Sequence, residues 1–294
     1  MNRQHLLAIL AMIALGAWFL ACEKHVLEVD VSLEDAAKML IEESTSGRRI
    51  YGGGLTAADT MTTVIPGQPS ITKRWTAQWN FIGHSYDIRF DTVTDRGIQF
   101  RAAHMSMLDS MAVSFNLIVD SDSTLGKSNY AAAQTNALLV RLLGYGDPFN
   151  GWVLRRIAHR SFHDRSGISP SLAVTVESGS RIWVLSGVLF SIDSVPPLSR
   201  GRSGLPGDSV TVRATTRKST DLLFLNVTDG GNVRRIPMIY NAQRNAFVAG
   251  WRVSQSTASG YYQALIEAYA KETLTLTDKS KIGVSGQTFV YRIQ

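Results

Sequence analysis

Polar and apolar residues follow two different periods along this chain, and together they predict one helix followed by a long series of strands. Between Ser32 and Glu43, apolar residues recur every three or four positions, the spacing of one helical face. The hydroxyl of Ser32 can cap the helix N-terminus, and the acidic Glu34 and Asp35 suit the positive end of the helix dipole. We therefore predict an amphipathic helix over this segment.

Beyond the helix the period shortens to two residues, which is the spacing of a strand with one buried face. Apolar residues such as Trp75 and Trp79 alternate with polar ones over most of 72–119, and residues 95–97 interrupt them as a turn. One helix followed by antiparallel strands predicts an α+β domain with a curved sheet over 32–170. The strands predicted in this domain are 72–81, 86–90, 98–107, 111–119, 136–143 and 151–157.

Short alternating segments separated by turn residues continue over 171–294, a pattern typical of a β-sandwich. The Gly- and Pro-rich stretch 196–207 is either a boundary or a long connection between strands. The chain is therefore predicted to be mainly β, with the α+β domain first and the sandwich second. The alternative replaces the first domain by a second sandwich after a helical linker. The strands predicted here are 172–176, 181–193, 208–214, 222–227, 234–240, 246–253, 260–270 and 287–293.

The first residues of the chain carry a different pattern, a basic start followed by an unbroken apolar run. Arg3 and His5 precede Leu6 to Ala21, which is 16 residues long. At about 1.5 Å per residue a helix of this length reaches about 24 Å, less than a hydrocarbon core of about 30 Å. The layout predicts a secretory signal peptide rather than a permanent spanning helix.

The apolar run ends in Phe19-Leu20-Ala21-Cys22, and this ending resembles the lipobox of bacterial lipoproteins. Cys22 is the chain's only cysteine; Phe19 and Leu20 are bulkier than the family's usual residues. The resemblance implies a signal peptide over 1–21, acyl chains on Cys22 that hold the protein to membrane lipid, and a tether over 22–31. Glu23 in place of the Asp that retains lipoproteins at the inner membrane implies the outer membrane of a bacterial envelope. The alternative is an ordinary signal peptide with an incidental cysteine.

Two further resemblances concern the exported part. The order of helix and strands, with the ending from Gly151 to Ile157, is similar to that of NTF2-like domains, which often form a cone with a pocket. The stretch from Tyr240 to Trp251, then 260–262 and the closing strand, resembles exported bacterial immunoglobulin-like domains. The second resemblance implies that the predicted sandwich is immunoglobulin-like, without the antibody-type disulfide.

Composition excludes some classes of function. Hydrophobic residues make up 45% of the 294 residues, which is enough to build real cores. The formal net charge is +6, or +5 once Arg3 leaves with the signal peptide, and the basic residues are scattered. No cluster has the density of a nucleic-acid-binding arm, so we expect no nucleic-acid partner. Membrane lipid, reached through Cys22, is the expected partner, and another envelope protein or a polysaccharide is a further candidate.

Motifs that carry chemistry are few. Gly126-Lys127-Ser128 ends like a phosphate-binding loop but lacks its first glycine, and no serine sits in a nucleophile elbow. His159 and His163 have the spacing of metal ligands on a helix, but the sequence around them predicts a strand end and a loop. We therefore expect no metal, no cofactor and no catalytic residues.

Trp75, Trp79 and His84 are the candidate ligand-binding residues. Alternation places both tryptophans on one strand face, which is either core or a ligand platform. The sequence thus predicts a membrane-anchored exported lipoprotein with a non-catalytic binding or structural role. The first alternative is a tethered NTF2-like domain that binds a small ligand; the second is an enzyme that uses His84 or His104 with Asp87 or Asp91.

Overall fold

The structure is a computed structural model, and its described residues are mainly β. They comprise 33–43, 60–65, 68–120, 123–142, 148–164, 167–185, 188–202, 205–229, 231–275 and 282–294. The predicted signal peptide, Cys22 and the tether lie outside these residues. Within them, no helix combines the length and the apolar character needed to cross a membrane.

The described residues form two α-helices, two 3₁₀ helices and sixteen strands. The helices are α1 (Leu33–Glu42) and α2 (Glu272–Thr275), with 3₁₀ turns at Pro148–Gly151 and Ile192–Ser194. The strands are β1 (Met61–Ile65), β2 (Gln68–Asp95), β3 (Ile98–Asp120), β4 (Ser123–Arg141), β5 (Trp152–Ile157), β6 (Ser161–Asp164), β7 (Ala173–Ser178), β8 (Arg181–Val184), β9 (Phe190–Ser191), β10 (Pro197–Leu198), β11 (Ser209–Thr215), β12 (Leu222–Asp229), β13 (Asn232–Asn241), β14 (Ala246–Arg252), β15 (Gly260–Tyr269) and β16 (Val284–Ile293).

The predicted helix and the turn after β2 agree with the structure. Helix α1 ends within one residue of the predicted bound. At the tip between β2 and β3, Arg96 and Gly97 have φ values of 50° and 80°. Such left-handed values are those of the tight turns that join hairpin strands, and glycine adopts them without a Cβ clash.

The long ribbon of β2, β3 and β4 differs from the prediction, which divided it into shorter strands. Strand β2 has 28 residues and β3 has 23, and they pair along almost their whole length. The polar residues that predicted breaks stay in the ladder because their backbone groups bond to the neighbouring strand. A bulge between Phe81 and Gly83 absorbs the one irregularity.

The strands form one hydrogen-bonded sheet, in which paired strands are antiparallel except that β10 lies parallel to β16. Strand β13 links two parts of this sheet, because its first part pairs with β12 and its last three residues pair with β14. The largest core cluster lies between β7, β11 and β14 on one side and β12, β15 and β16 on the other. The sheet therefore folds back on itself around that core.

Contacts cross the domain boundary that the sequence predicted near residue 170. Strand β6 pairs with β16 at the far end of the chain, and Trp75 packs in one cluster with Phe224 and Tyr269. The division into two domains, and their NTF2-like and immunoglobulin-like character, stay predictions. Helix α1 packs through Ala37 and Ile41 on a separate cluster of β3 and β4 residues.

Candidate functional site

The structure places the two candidate tryptophans among packed aromatic rings. Trp75 is fully buried, with its ring centroid 5.0 Å from those of Phe115 and Tyr269 and 5.5 Å from that of Phe224. The Trp79 indole nitrogen donates to the Tyr269 hydroxyl at 3.3 Å. Strands β12 and β15, rather than helix α1, cover this face. This arrangement corresponds to the core alternative for the aromatic face.

The third candidate, His84, lies in a polar cluster where helix α1 ends against strand β2. Its Nε2 is 2.9 Å from Glu42 Oε1, and the Tyr86 hydroxyl donates to the same oxygen at 2.8 Å. Burial, followed by the hydrogen bond to Glu42, raises the pKa of Tyr86, so the phenol stays protonated. Glu42 thus ties the last turn of the helix to two side chains of the sheet.

A buried ion pair lies on the strand beside this cluster. Asp109 stands directly across from His84 in the β2–β3 ladder, and its Oδ2 is 2.8 Å from an Arg160 guanidinium nitrogen. The two side chains are 1% and 6% exposed. Arg160 Nε also donates to Thr135 Oγ1 at 3.2 Å, and its backbone nitrogen donates to Thr288 Oγ1. The pair therefore joins β3, β4 and β16.

Sequence analysis selected His84 but missed three residues near it. Glu42 contacts His84, Asp109 lies opposite His84 in the ladder, and Arg160 pairs with Asp109. No local motif links these residues, because strand pairing and helix packing bring them together. Asp109 lies between two predicted strands, 98–107 and 111–119, where a polar residue indicates a break rather than a buried partner. His104 and the aspartates proposed with it do not join the cluster; Asp87 instead pairs with Arg89 at 3.2 Å.

Replacing Glu42 by glutamine should weaken the attachment of helix α1 without unfolding the sheet. The amide can still accept one hydrogen bond, but it loses the charge that strengthens the bonds from His84 and Tyr86. We expect a loss of roughly 0.5–1 kcal/mol in the local stability of the helix. Faster hydrogen exchange at the helix amides would measure it.

The matched control is Glu34→Gln, which removes an exposed i,i+4 pair with Lys38 on the same helix. Such pairs contribute about 0.3–0.5 kcal/mol, so the control should change exchange less. Equal exchange rates in both variants would contradict a fastening role for Glu42.

A cationic groove of about 520 Å³ opens on another part of the surface. Arg155, Arg156 and His104 contribute basic side chains to its lining, and Leu138 and Val140 contribute apolar ones. Asp193 also lines it, and its carboxylate lies 3.5 Å from the Arg155 guanidinium. The groove combines hydrogen-bond donors for an anion with an apolar surface.

An apolar groove of about 330 Å³ lies along the edge strand β8, whose side chains form part of its lining. Its lining includes Ile182, Val184 and Val188, which are 64%, 74% and 70% exposed. His159 stacks on Phe190 with ring centroids 4.4 Å apart. Burial lowers the pKa of His159 to about 4, so at neutral pH this imidazole adds no charge to the groove.

One short strand pairing contributes residues to both the cationic groove and the apolar groove. In the β5–β9 ladder, Arg156 lies opposite Ser191 and Ile157 lies opposite Phe190. Ser191 lines the cationic groove, whereas Phe190 lines the apolar one. Because successive strand residues point to opposite faces, the two grooves lie on opposite faces of this ladder, and they share none of their lining residues.

The two other motifs from the sequence, the His159 and His163 pair and the loop with Lys127, form neither a metal site nor a phosphate-binding loop among the described residues. His163 lies on strand β6 and His159 lies in the apolar groove, so they do not share a helix face. The described residues contain no group of three or more His, Asp or Glu side chains placed to hold a metal ion. The buried Lys127 ammonium donates to the backbone oxygen of Thr273 at 2.8 Å, which links β4 to helix α2.

No protein-family model, curated protein or solved structure matches the chain.

Proposed function

We propose that the chain is an exported bacterial lipoprotein, held at the outer membrane by acyl chains on Cys22, whose body binds a ligand without catalysis. The observation that carries the binding role is the presence of two grooves, one lined by arginine side chains and one lined by apolar side chains. Concave surfaces with apolar walls and a few polar groups are the usual form of small-molecule sites. The apolar run that ends at Cys22 supports the membrane attachment.

The contacts of His84, Glu42, Asp109 and Arg160 support a structural role for these four titratable side chains. His84 contacts Glu42, and Asp109 forms an ion pair with Arg160; none of these four residues lines either groove. Their contacts join a helix to the sheet and strands to one another. This is the work of structural groups rather than of a general acid and base.

The grooves also favour the alternative in which the protein binds a small ligand, but at a different place from the pocket of an NTF2-like cone. An NTF2-like cone would hold its ligand on the concave face, here the face of Trp75, and packed aromatic rings fill that face. We therefore assign binding to the grooves lined by residues of β5, β8 and β9 rather than to that face. Within this proposal the strands after residue 170 form an immunoglobulin-like sandwich that supports one wall of the apolar groove.

Replacing Cys22 by serine tests the anchor. Without a thiol the acyl chains have no site of attachment, so the variant should take up no labelled palmitate in a bacterial host. Stable attachment takes several acyl chains, so the variant should also move from the membrane fraction to the soluble fraction. Glu23→Gln is the matched control and should stay acylated. Equal palmitate labelling of Cys22→Ser and the unmodified chain would overturn the lipoprotein assignment.

A further inference from the structure

An irregularity in strand β5 places two arginines in the same groove. Successive residues of a regular strand point to opposite faces of the sheet. In the β4–β5 ladder, however, the register shifts between Leu138 and Leu139. Arg156 lies opposite Leu138, and Arg155 is the one extra residue of a bulge. Both arginines line the cationic groove, and bulges that re-aim side chains in this way are frequent next to functional sites.

Neighbouring strands complete the cationic groove with one row of paired residues. His104 on β3 lies opposite Leu138 on β4. Leu138 in turn lies opposite Arg156 on β5, which lies opposite Ser191 on β9. Directly paired residues of adjacent strands share a face of the sheet and have Cβ atoms about 4.5–5.5 Å apart. The row explains why residues of four strands line one groove.

The lining of the cationic groove combines an excess of positive charge with an apolar part. Arg155 and Arg156 supply two guanidinium groups, and Asp193 is the one acidic side chain among the described residues that line it. Leu138 and Val140, which are nearly buried, supply apolar surface. The volume of about 520 Å³ falls in the range of small-molecule sites, about 300–1,000 Å³.

We propose that the cationic groove binds a small organic phosphate monoester, with the phosphate between the two arginines and the organic group against the apolar lining. The proposal rests on the binding role proposed above and names its ligand class. A phosphate monoester has three terminal oxygens and a charge of about −1.5 to −2 at neutral pH. Two neighbouring guanidinium groups suit this group, because each can bind two phosphate oxygens through parallel hydrogen bonds.

Ser191 provides a further donor, and Asp193 provides a competing carboxylate. The Ser191 hydroxyl oxygen accepts a hydrogen bond from the Asp193 backbone nitrogen at 3.3 Å, which leaves the hydroxyl proton for a phosphate oxygen. The Asp193 carboxylate lies 3.5 Å from the Arg155 guanidinium, and these side chains are 67% and 45% exposed. An ion pair this exposed is weak, so an entering phosphate can replace the carboxylate.

The experiment is a calorimetric titration of the full chain, kept soluble in a non-ionic amphipol, with phenyl phosphate. We expect saturable binding at one site. Inorganic phosphate should bind about fivefold more weakly, because it covers none of the apolar lining. Phenol, which has no charged group, should bind at least about tenfold more weakly. Benzoate should bind about threefold more weakly, because a carboxylate has one charge and two oxygens.

Single variants test the bulge as well as the charge. Arg155→Gln and Arg156→Gln should each weaken phenyl phosphate binding about tenfold, because each removes hydrogen bonds to a charged group. A regular strand would turn one of the two side chains away, and only one variant would then lose affinity. Asp193→Asn should tighten binding about threefold, because the competing carboxylate loses its charge.

The matched control is Arg244→Gln, an exposed arginine in the turn between β13 and β14, which should change affinity less than about twofold. Circular dichroism would check that each variant stays folded. Unchanged affinity in both groove variants, or phenyl phosphate binding no more tightly than phenol, would overturn the proposal. Tighter binding of benzoate than of phenyl phosphate would overturn the assignment of a phosphate.

Two further readings separate this proposal from its neighbours. If the full chain binds phosphatidylglycerol vesicles through the two arginines yet ignores phenyl phosphate, the groove contacts a membrane surface and our proposal is wrong. If phenyl phosphate binds and phenol is released, the ligand class stands and the non-catalytic role proposed above fails. The palmitate-labelling test of Cys22 does not depend on either result, so failure of the anchor is distinguishable from both.

Discussion

Replacing Arg160 by methionine is expected to lower the free energy of unfolding by about 3–5 kcal/mol at neutral pH, the usual cost of removing one partner of a buried ion pair. Asp109 is 1% exposed and would be left buried without its guanidinium partner. The variant also loses the hydrogen bond to Thr135 between β4 and the segment before β6. Chemical denaturation followed by tryptophan fluorescence would measure the loss.

The loss should depend on pH in a defined direction. Burial raises the pKa of Asp109, while the Arg160 guanidinium opposes that rise. A carboxyl group whose pKa is raised on folding binds its proton more tightly in the folded chain, so its contribution to stability falls as the pH rises. Without Arg160 the pKa rises further. The difference between Arg160→Met and the unmodified chain should therefore be smallest near about pH 4 and widen toward pH 7.

A double variant separates the charge from the packing. In Asp109→Leu/Arg160→Met both charges are removed, and such apolar replacements are often close to neutral. The double variant should regain most of the lost free energy of unfolding. Its stability should no longer show the pH dependence that Asp109 causes. Arg89→Met, at a surface pair 81% and 62% exposed, is the control and should change little. A pH-independent loss in Arg160→Met would contradict this account.

Local signals predicted the elements that depend on neighbours in sequence. Helix α1 followed from its apolar spacing, and the turn at Arg96 and Gly97 followed from its residue types. The length of β2 and β3 could not be predicted in the same way. Polar residues such as His84 and Asp109 indicate a break when a strand is considered alone. Paired in register with each other, they continue the ladder.

The candidate site shows the same division. His84 could be selected because it is a histidine on a predicted strand, but its partner Glu42 lies on a helix, at a separation that no motif spans. The cationic groove was beyond sequence analysis because Arg156 and Ser191 meet through a two-residue strand. That strand lies inside a segment whose apolar content predicted one longer strand, 181–193.

Aromatic packing joins strands that the sequence assigned to different domains. Trp75 on β2 is fully buried, and two of its three ring neighbours, Phe224 and Tyr269, belong to β12 and β15. The Trp79 indole, the Tyr269 hydroxyl and the buried Glu267 continue this contact as a chain of hydrogen bonds. Packing of this kind makes the stability of one part depend on the other.

Replacing Trp75 by alanine should therefore destabilise strands on both sides of residue 170. Deleting a buried tryptophan typically costs about 3–5 kcal/mol, because transfer energy is lost and a cavity remains. The expected result is a lowered midpoint of unfolding, with faster hydrogen exchange in β2 and β3 and also in β12 and β15. Tyr130→Ala, on the same long ribbon but at a residue 69% exposed, is the control and should change stability by about 0.5 kcal/mol or less. If only the strands before residue 170 lost protection, the two parts would be energetically independent, and the shared aromatic cluster would not couple them.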